Sequence, residues 1–312
     1  MVGVKVGILY SRIRKDEKLL LSELRDRGHE VTKIDVRKHQ FSLDGTTAPV
    51  EGLDIVVDRC LSTSRSLYAT QFLDAYGVTV VNGPETADVC ADKAKNSLAL
   101  AKAGVPTPKT DVTFTKESAM QSIEKFGYPC VLKPVVGSWG RLMAKIDSES
   151  AAEAILEHKA TLGHYEHKVF YIQEFVEKPG RDIRVLATDG EPVAAMVRSS
   201  DHWLTNAAKG ATVEPFELDD RALELVEKAS AAVGGGLLGV DLMETGVVSD
   251  DKSEASQTES GVDYTVHEVN HTVEFKALND AVGDDVDVPG KVVDWLESKA
   301  AESADKEAEV SA

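Results

Sequence analysis

Oxygen-bearing side chains are concentrated in two strand candidates near the C-terminal end of the sequence. One is the run Tyr-Thr-Val-His-Glu-Val-Asn-His-Thr, in which alternation would place Glu268 and Asn270 on one face and His267 on the other. The other is the apolar run 237–244, which contains Asp241. Because Mg²⁺ prefers carboxylate and amide oxygens, Asp241, Glu268 and Asn270 could hold this ion against the phosphates of a nucleotide. The alternative is an aspartate that caps a turn beside an ordinary polar strand face.

Basic side chains upstream could supply the positive charge that a nucleotide needs. Lys133 ends an apolar strand candidate and is followed by a glycine-rich loop with Gly137, Gly140 and Arg141. A lysine on a strand can act as a fixed charge for phosphate oxygens, and the glycines allow backbone amides to approach an anion. A strand-end lysine next to a hairpin turn would give the same pattern. Lys93, on a predicted helix, could contact phosphates or lie on a solvated helix face.

A strand that runs into a loop, followed by a charged strand, could bind the rest of a nucleotide. The run Tyr-Ile-Gln-Glu-Phe-Val-Glu could present backbone groups to an adenine edge, with Glu174 nearby. In the next predicted strand, Asp182 and Arg184 share one face. Charged groups on an otherwise apolar strand need partners, which are either a ligand or one another. Arg198 and Asn206 extend this polar pattern after the following strand.

Two arginines flank a loop that follows a predicted parallel strand. Arg59 and Arg65 are the ends of the run Arg-Cys-Leu-Ser-Thr-Ser-Arg. Ligands of open α/β sheets tend to bind beyond the carboxyl ends of the strands. The two arginines could therefore meet a substrate carboxylate, and the alternative is that both are solvated loop residues.

Composition excludes several classes of protein. With 53 acidic and 35 basic residues the net charge is −18, which argues against nucleic acid as a partner and suggests a surface adapted to high salt. No apolar run approaches the ~20 residues that span a bilayer. The apolar N-terminus predicts a first strand rather than a signal peptide, so we expect a cytoplasmic protein. Three widely spaced cysteines indicate neither a disulfide frame nor a zinc cluster.

The order of predicted elements indicates an α/β protein with several domains. Strands alternate with helices over 1–88, which predicts a parallel sheet covered on both sides. A proline-punctuated linker then follows a helix predicted over Asp88–Ala103, and it leads through a small α+β domain, 89–168. Strands dominate 169–300, which would carry the metal site. The remaining residues, 301–312, form an acidic helix end or tail.

Common catalytic motifs are either absent from the sequence or in the wrong context. Gly-Gly-Gly-Leu-Leu-Gly at 234–239 fits the dinucleotide pattern G-x-G-x-x-G, but it follows a helix and opens a strand, whereas that fingerprint needs the reverse order. The sequence contains neither the P-loop pattern nor G-x-S-x-G. The absence of the P-loop pattern excludes P-loop chemistry, and the glycines at 234–239 are better explained as the end of a helix.

Taken in order, these segments resemble the ATP-grasp superfamily, its RimK-like branch and the LysX/ArgX ligases. The runs Lys-Pro-Val-Val-Gly-Ser-Trp-Gly-Arg and Glu-Val-Asn-His-Thr-Val-Glu-Phe-Lys carry the closest resemblance. It covers about 1–298, and the acidic insertion 250–263 falls outside it. It implies an ATP-grasp fold with an N-terminal parallel-sheet domain, a small α+β lid domain and a C-terminal, mostly antiparallel α+β domain.

The resemblance also implies a role for each candidate side chain. Some of these residues would contact the phosphates, adenine and ribose of ATP, and others would form a lid that closes over the phosphates. They are Lys93, Lys133, Gly137, Ser138, Trp139, Gly140, Arg141, Gln173, Glu174, Phe175, Val176, Asp182 and Arg184. Arg198 and Asn206, with Arg141, would meet the transferring phosphoryl group or the acyl acceptor. Asp241, Glu268 and Asn270 would ligate one or two Mg²⁺ ions.

The implied reaction is ATP-dependent amide formation through an acylphosphate. Its partners would be a LysW-type acidic carrier protein, which ends in glutamate, and either glutamate or α-aminoadipate, in arginine or lysine biosynthesis. The resemblance favours glutamate, because acidic, salt-adapted members of the family are expected to use this route for arginine, and specificity for both amino acids is the alternative. A homo-oligomer is implied, with no nucleic-acid or membrane partner. The alternatives are a RimK-like ligase that adds glutamate to a ribosomal protein or another peptide tail, and a nucleotide-binding regulatory module without catalysis.

Overall fold

Strands of the chain form three sheets, which are covered and joined by helices. The structure is a computed structural model that describes residues 3–45, 50–137, 141–162, 168–203, 205, 210–245 and 263–310. The predicted acidic insertion therefore lies outside the described residues except for Asp263. The predicted fold class, with one parallel and two antiparallel sheets, is confirmed.

The N-terminal sheet is parallel, with the strand order β2-β1-β3-β4. Its strands are β1 Lys5–Tyr10, β2 Glu30–Asp35, β3 Ile55–Arg59 and β4 Val80–Val81, and its helices are α1 Lys15–Asp26 and α2 Thr63–Ala75. Every residue of β3 is buried, as expected for a strand that lies inside a sheet covered on both faces. The prediction of a parallel sheet from short apolar strands that alternate with helices is thus confirmed.

The central sheet is antiparallel, with the order β5-β8-β6-β7. Its elements are β5 Thr110–Thr113, α5 Lys116–Phe126, β6 Cys130–Lys133, β7 Ala144–Ile146, α6 Glu149–Leu162 and β8 Phe170–Glu174. One face packs on α5 and α6, and alternation sends Lys133 and Gln173 to the other face. Although β8 follows the predicted domain boundary at 168, it pairs within this sheet, which therefore extends through Glu174.

The C-terminal sheet is antiparallel, with the order β11-β10-β9-β12-β13. Its elements are β9 Arg181–Thr188, β10 Glu191–Ser199, β11 Thr212–Pro215, α7 Asp220–Ala232, β12 Leu237–Glu244 and β13 Tyr264–Asn270. One face is apolar and packs on α7 through Leu225, Val226 and Ala229. On the opposite face, as the period of two requires, the same strands carry the charged residues that line the pocket, which are Asp182, Arg184, Arg198 and Asp241.

The helix predicted over Asp88–Ala103 is wrong as a single element. It is two helices, α3 Pro84–Ala91 and α4 Lys93–Lys102, separated by Asp92 in an extended conformation. The Asp92 carboxylate accepts hydrogen bonds from backbone amides of the first turn of α4, which favours a new helix start. The first amide of α4 donates to the carbonyl of Val135 at 2.8 Å. The break thus brings the start of α4 against the loop that follows β6.

Two further helices close the chain. They are α8 Lys276–Val282 and α9 Val288–Val310, with a single 3₁₀ turn, Gly283–Asp285, between them. Buried residues of α9, such as Val292 and Leu296, pack with Ile8 and Leu20 in a core shared between the N-terminal and C-terminal sheets. Among the helices described, none combines the length and the apolar character needed to cross a membrane.

Candidate active site

A single pocket lies where the three sheets meet, and it collects the predicted site residues. Those lining it are Lys93, Lys133, Gly137, Arg141, Gln173, Glu174, Phe175, Val176, Asp182, Arg184, Arg198, Asp241, Glu268 and Asn270. The charged face of the C-terminal sheet forms one wall, and the central sheet faces it. Four other predicted residues lie outside the described residues: Ser138, Trp139, Gly140 and Asn206. All described residues that were predicted to bind ATP or Mg²⁺ therefore share one cavity.

The predicted metal ligands are neighbours on β12 and β13. Asp241 is the direct cross-strand partner of Glu268. The Asn270 amide nitrogen lies 3.4 Å from a carboxylate oxygen of Asp241. Asp241 is 5% exposed, so its charge is almost entirely removed from water. Two carboxylates and an amide oxygen on a rigid strand pair have the chemistry that suits a hard cation such as Mg²⁺.

A β-bulge in β13 changes the predicted arrangement of this face. Asp241 pairs with Glu268, but Leu242 pairs with Val266, so His267 is an extra residue. The prediction that His267 and Glu268 lie on different faces of the strand is therefore wrong, because both side chains line the pocket. The His267 Nε2 atom lies 3.3 Å from the Lys133 amine. Burial lowers the pKa of His267 well below its usual value, which keeps the ring neutral.

The acidic groups of the pocket are paired with basic side chains in the free protein. Arg184 donates to both oxygens of Asp241 at 2.7 and 2.5 Å, and Arg198 lies 3.2 Å from the same carboxylate. Arg198 also donates to Asp182 at 2.6 Å. Burial alone would raise the pKa of Asp241, but the two arginines outweigh it and hold this pKa well below its ordinary value. Ion pairing within the protein, one of the two alternatives for Asp182 and Arg184, is thus present, with Asp182 paired to Arg198 and Arg184 paired to Asp241.

Two lysines from different elements reach the same pocket. Lys93 donates to Glu268 at 2.9 Å and to the carbonyl of Gly137 at 2.9 Å, and its side chain is 11% exposed. It therefore does not lie on a solvated helix face. Lys133 is buried, donates to the Gln173 side chain and lies over the ring of Tyr171. Burial lowers the pKa of Lys133 to about 7.

The segment after β8 joins the central sheet to the C-terminal sheet beside these lysines. The Glu174 amide donates to the carbonyl of Lys109 at 3.0 Å, and the Glu174 carboxylate accepts from the Lys109 amide at 2.8 Å. The Phe175 ring lies beneath the amine of Lys145 at 4.5 Å and 6.4 Å from the Trp203 ring. An aromatic side chain and a fixed backbone at this hinge are suited to holding a flat, apolar base.

Sequence reasoning missed several pocket residues. Two of them are Lys178 and Thr205, which both line the pocket. Lys178 donates to Thr205 at 2.7 Å and pairs with Asp182 at 3.5 Å. Lys178 comes directly after the hinge segment, which was the available signal. Arg14 also lines the pocket. It follows the carboxyl end of β1, where ligands of parallel sheets tend to bind.

Arg59 fits neither of its predicted alternatives. It is 1% exposed, pairs with Glu17 at 3.2 Å and donates to the Val273 carbonyl at 2.8 Å. It is therefore a buried structural cation, while its neighbour Cys60 contributes to the pocket wall. Arg65 is exposed.

Comparisons with known proteins agree with this geometry. A model described as the LysX preATP-grasp domain matches residues 6–89, and one described as the RimK-like ATP-grasp domain matches residues 90–296. The α-aminoadipate–LysW ligase LysX of Saccharolobus solfataricus is 34% identical, over 84% of this chain and 90% of its own length. The glutamate–LysW ligase ArgX of Sulfurisphaera tokodaii is 28% identical, over 94% and 98%.

Solved structures give the same result for the fold. An ATP-grasp RimK domain protein from Sphaerobacter thermophilus has a TM-score of 0.74 and 26% identity, covering 94% of this chain and 99% of that protein. The D-alanine–D-alanine ligase of Bacillus anthracis has a TM-score of 0.69 at 14% identity, covering 98% and 100%, and supports the fold alone. The chain therefore belongs to the RimK-like ATP-grasp family and, within it, to the LysX/ArgX group of ATP-dependent ligases.

Proposed function

We propose that this enzyme joins the α-amino group of glutamate or α-aminoadipate to the C-terminal glutamate side chain of a LysW-type carrier protein. ATP is the substrate that activates the carrier carboxylate, and the product is an amide of arginine or lysine biosynthesis. The observation that carries the proposal is the convergence of Lys93, Lys133 and the Asp241–Glu268–Asn270 oxygens in one pocket. Relatives that act on LysW with these two amino acids support the choice of partner.

The nucleotide would lie between the central and C-terminal sheets. Gln173, Glu174, Phe175 and Val176 would contact adenine, and Asp182 the ribose. Lys93 and Lys133 would contact the phosphates, and the loop from Gly137 to Arg141 would close over them. Lys133 supports this role because its buried amine already stands on a rigid strand and its charge is unfavourable without an anion.

The oxygen set would hold Mg²⁺. Asp241, Glu268 and Asn270 supply hard oxygen ligands, and the ion would neutralise charge on the phosphates when bound. In the free protein the two carboxylates are held by Arg184, Arg198 and Lys93. A ligand that carries both a cation and phosphates offers an opposite charge to each member of these pairs, so no buried charge would lose its partner.

The reaction needs positioning and charge neutralisation rather than a protein nucleophile. Transfer of the γ-phosphoryl group to the carrier carboxylate would give an acylphosphate and ADP. The amine of the amino acid would then attack the acyl carbon and expel phosphate, which forms the amide. Arg198 is 5% exposed and reaches the Asp182–Asp241 cluster, so it can meet the negative charge that develops on the transferring group. Asn206 and Arg141 are proposed to assist at the same point.

Intact-protein mass spectrometry tests the proposal. The purified enzyme is incubated with LysW, ATP, Mg²⁺ and either glutamate or α-aminoadipate. We expect LysW to gain the mass of one of these residues only when ATP is present, with release of one ADP per amide. A peptide tail ending in glutamate replaces LysW in a parallel reaction. Modification of that peptide but not of LysW, or of neither, would contradict the proposal.

A further inference from the structure

The end of the pocket nearest the N-terminal sheet contains an arginine with two unequal partners. Arg14 lines the pocket and is 15% exposed. Its guanidinium donates to both oxygens of Glu17, at 3.0 and 2.6 Å. On the other side its Nη1 atom donates to Glu274 at 2.5 Å. Arg14 thus forms a two-point ion pair with Glu17 and a single hydrogen bond with Glu274.

The two carboxylates differ in how easily they could leave. Glu17 is fully buried, accepts a further hydrogen bond from the backbone amide of Arg14 at 2.7 Å and pairs with Arg59. Removing it would take the paired carboxylate from the buried Arg59 and would leave Arg14 with Glu274 alone. The Glu274 side chain is 44% exposed and can return to water. Because a solvent-exposed carboxylate gains little from an ion pair, Glu274 is the partner that a ligand could replace.

Among the described residues, two that line the same pocket as this arginine each carry a polar atom without a partner. The His271 Nε2 and Thr272 Oγ1 atoms are buried, and neither has a hydrogen-bond partner in the described part of the chain. Both residues line the same pocket, between Asn270 of the oxygen set and Glu274. Burying a polar group without a partner is unfavourable, so these two consecutive residues can gain hydrogen bonds from a polar ligand in the pocket.

We infer that Arg14, His271 and Thr272 form a subsite for a carboxylate of the attacking amino acid, with Glu274 in its place in the free enzyme. This inference rests on the proposed function. It keeps the charge balanced, because Arg14 and Arg59 face Glu17 plus either Glu274 or the substrate carboxylate.

The surroundings favour a small molecule over the carrier tail in this subsite. The adjoining wall is formed by Cys60 and Val273, both almost fully buried. Val273 also belongs to the core that the N-terminal sheet shares with α9, so the wall cannot easily withdraw to admit a polypeptide. An amino acid held here would lie next to Asn270, the last residue of β13 and a member of the oxygen set.

Two conservative variants test the subsite by calorimetric binding of glutamate to the free enzyme. Arg14→Lys keeps the positive charge and the Glu17 pair but loses the planar fork, and we expect about tenfold weaker binding of glutamate. Glu274→Gln removes the competing charge, and we expect about two- to fivefold tighter binding. Arg37→Lys and Glu23→Gln are matched controls, because each changes an ion pair outside the pocket. Affinity for an ATP analogue should stay within about twofold of wild type in all four variants.

Substrate analogues identify which carboxylate is bound. If it is the side-chain carboxylate, Arg14→Lys will lose the preference for glutamate over glutamine. If it is the α-carboxylate, the variant will instead lose the preference for glutamate over its α-amide. Wild-type glutamate affinity in both pocket variants would overturn the inference.

The binding measurement separates the two proposals because it needs neither carrier nor ATP turnover. Arg14-dependent glutamate binding in an enzyme that never modifies LysW would support the subsite and contradict the proposed function. If Arg14→Lys forms the amide on LysW with a wild-type KM for the amino acid, the proposed function would be supported and the subsite would be contradicted.

Discussion

Two clusters of buried charge in this enzyme differ in the kind of partner they use. In the pocket cluster, Asp241 and Glu268 are held by the side chains of Arg184, Arg198 and Lys93. The second cluster joins α1 and β3 to the segment after β13. There, part of the pairing is to the backbone: the Asp16 carboxylate accepts from the amides of Phe275 and Lys276, and Arg59 donates to the carbonyl of Val273.

This difference separates a binding site from a structural joint. A side-chain pair that faces a cavity can open when a ligand supplies opposite charges to both members. A charge that satisfies the backbone of another element cannot open without exposing that backbone. Burial of an ion pair therefore does not reveal its role by itself. The carboxylates of the pocket are held by side chains, although Lys93 also donates to the carbonyl of Gly137, whereas Asp16 and Arg59 of the joint bind the backbone of another segment. Arg14 belongs to both regions, because it pairs with the buried Glu17 of the structural joint and with the exposed Glu274 at the pocket.

The strongest test of the pocket cluster is Glu268→Gln, with Asn270→Ala beside it. Glu268→Gln removes the negative charge of one proposed Mg²⁺ ligand, and Asn270→Ala removes the amide oxygen of another, so we expect ATP-dependent amide formation to fall by about a thousandfold, or about 4 kcal/mol. The thermal midpoint should change little. Glu244→Gln is the matched control on β12, because Glu244 pairs with Arg181 outside the pocket. Normal activity in both pocket variants would refute the metal assignment.

The structural joint should respond in the opposite way. Glu17→Gln removes the carboxylate that pairs with both Arg59 and Arg14, and we expect the free energy of unfolding to fall by about 3 kcal/mol in urea titration. The affinity of the folded protein for an ATP analogue should be unchanged. In the control Glu23→Gln, which breaks a half-exposed helix pair with Arg27, the loss should stay below about 0.5 kcal/mol. Equal stability of the two variants would remove the distinction between joint and site.

Lys133 allows the pocket cluster to be tested through nucleotide affinity alone. Lys133→Met retains the length and burial of the side chain but removes the charge proposed to face the phosphates. We expect ATP-analogue binding to weaken by about thirtyfold, or about 2 kcal/mol. Lys125→Met, at an exposed lysine paired with Asp111, should bind like wild type. Unchanged affinity in Lys133→Met would count against the phosphate role.

The lowered pKa of Lys133 also predicts how binding depends on pH. Burial lowers this pKa to about 7, with Glu268 opposing and Lys93 and Lys178 adding to the shift, while neutral His267 faces the amine. Phosphates favour the charged amine, so binding above pH 7 must take up a proton. Affinity should therefore fall from pH 7.5 to 9, by at most about tenfold per pH unit. Lys133→Arg keeps its charge throughout and should remove this slope. An equally steep slope in that variant would assign it to another group.

The sequence was sufficient for the fold and for most of the charged side chains that line the pocket, for a physical reason. Charged residues inside apolar strands, such as Asp241 and Lys133, are costly unless they face a ligand or a partner, so they stand out from the strand pattern. The β-bulge at His267 could not be predicted, because a bulge depends on cross-strand register rather than on the residues of one strand. The break at Asp92 depends in part on a hydrogen bond to the distant Val135. Arg14 was missed because a lone arginine in a loop resembles any solvated residue.

A structure of the enzyme crystallised with Mg²⁺ and a non-hydrolysable ATP analogue tests the central claim most directly. We expect the metal on oxygens of Asp241, Glu268 and Asn270, with the amines of Lys93 and Lys133 on the phosphates and the Asp241–Arg184 pair opened. A nucleotide bound elsewhere, or one bound in the pocket while both the Asp241–Arg184 and Glu268–Lys93 pairs remain closed, would contradict the account.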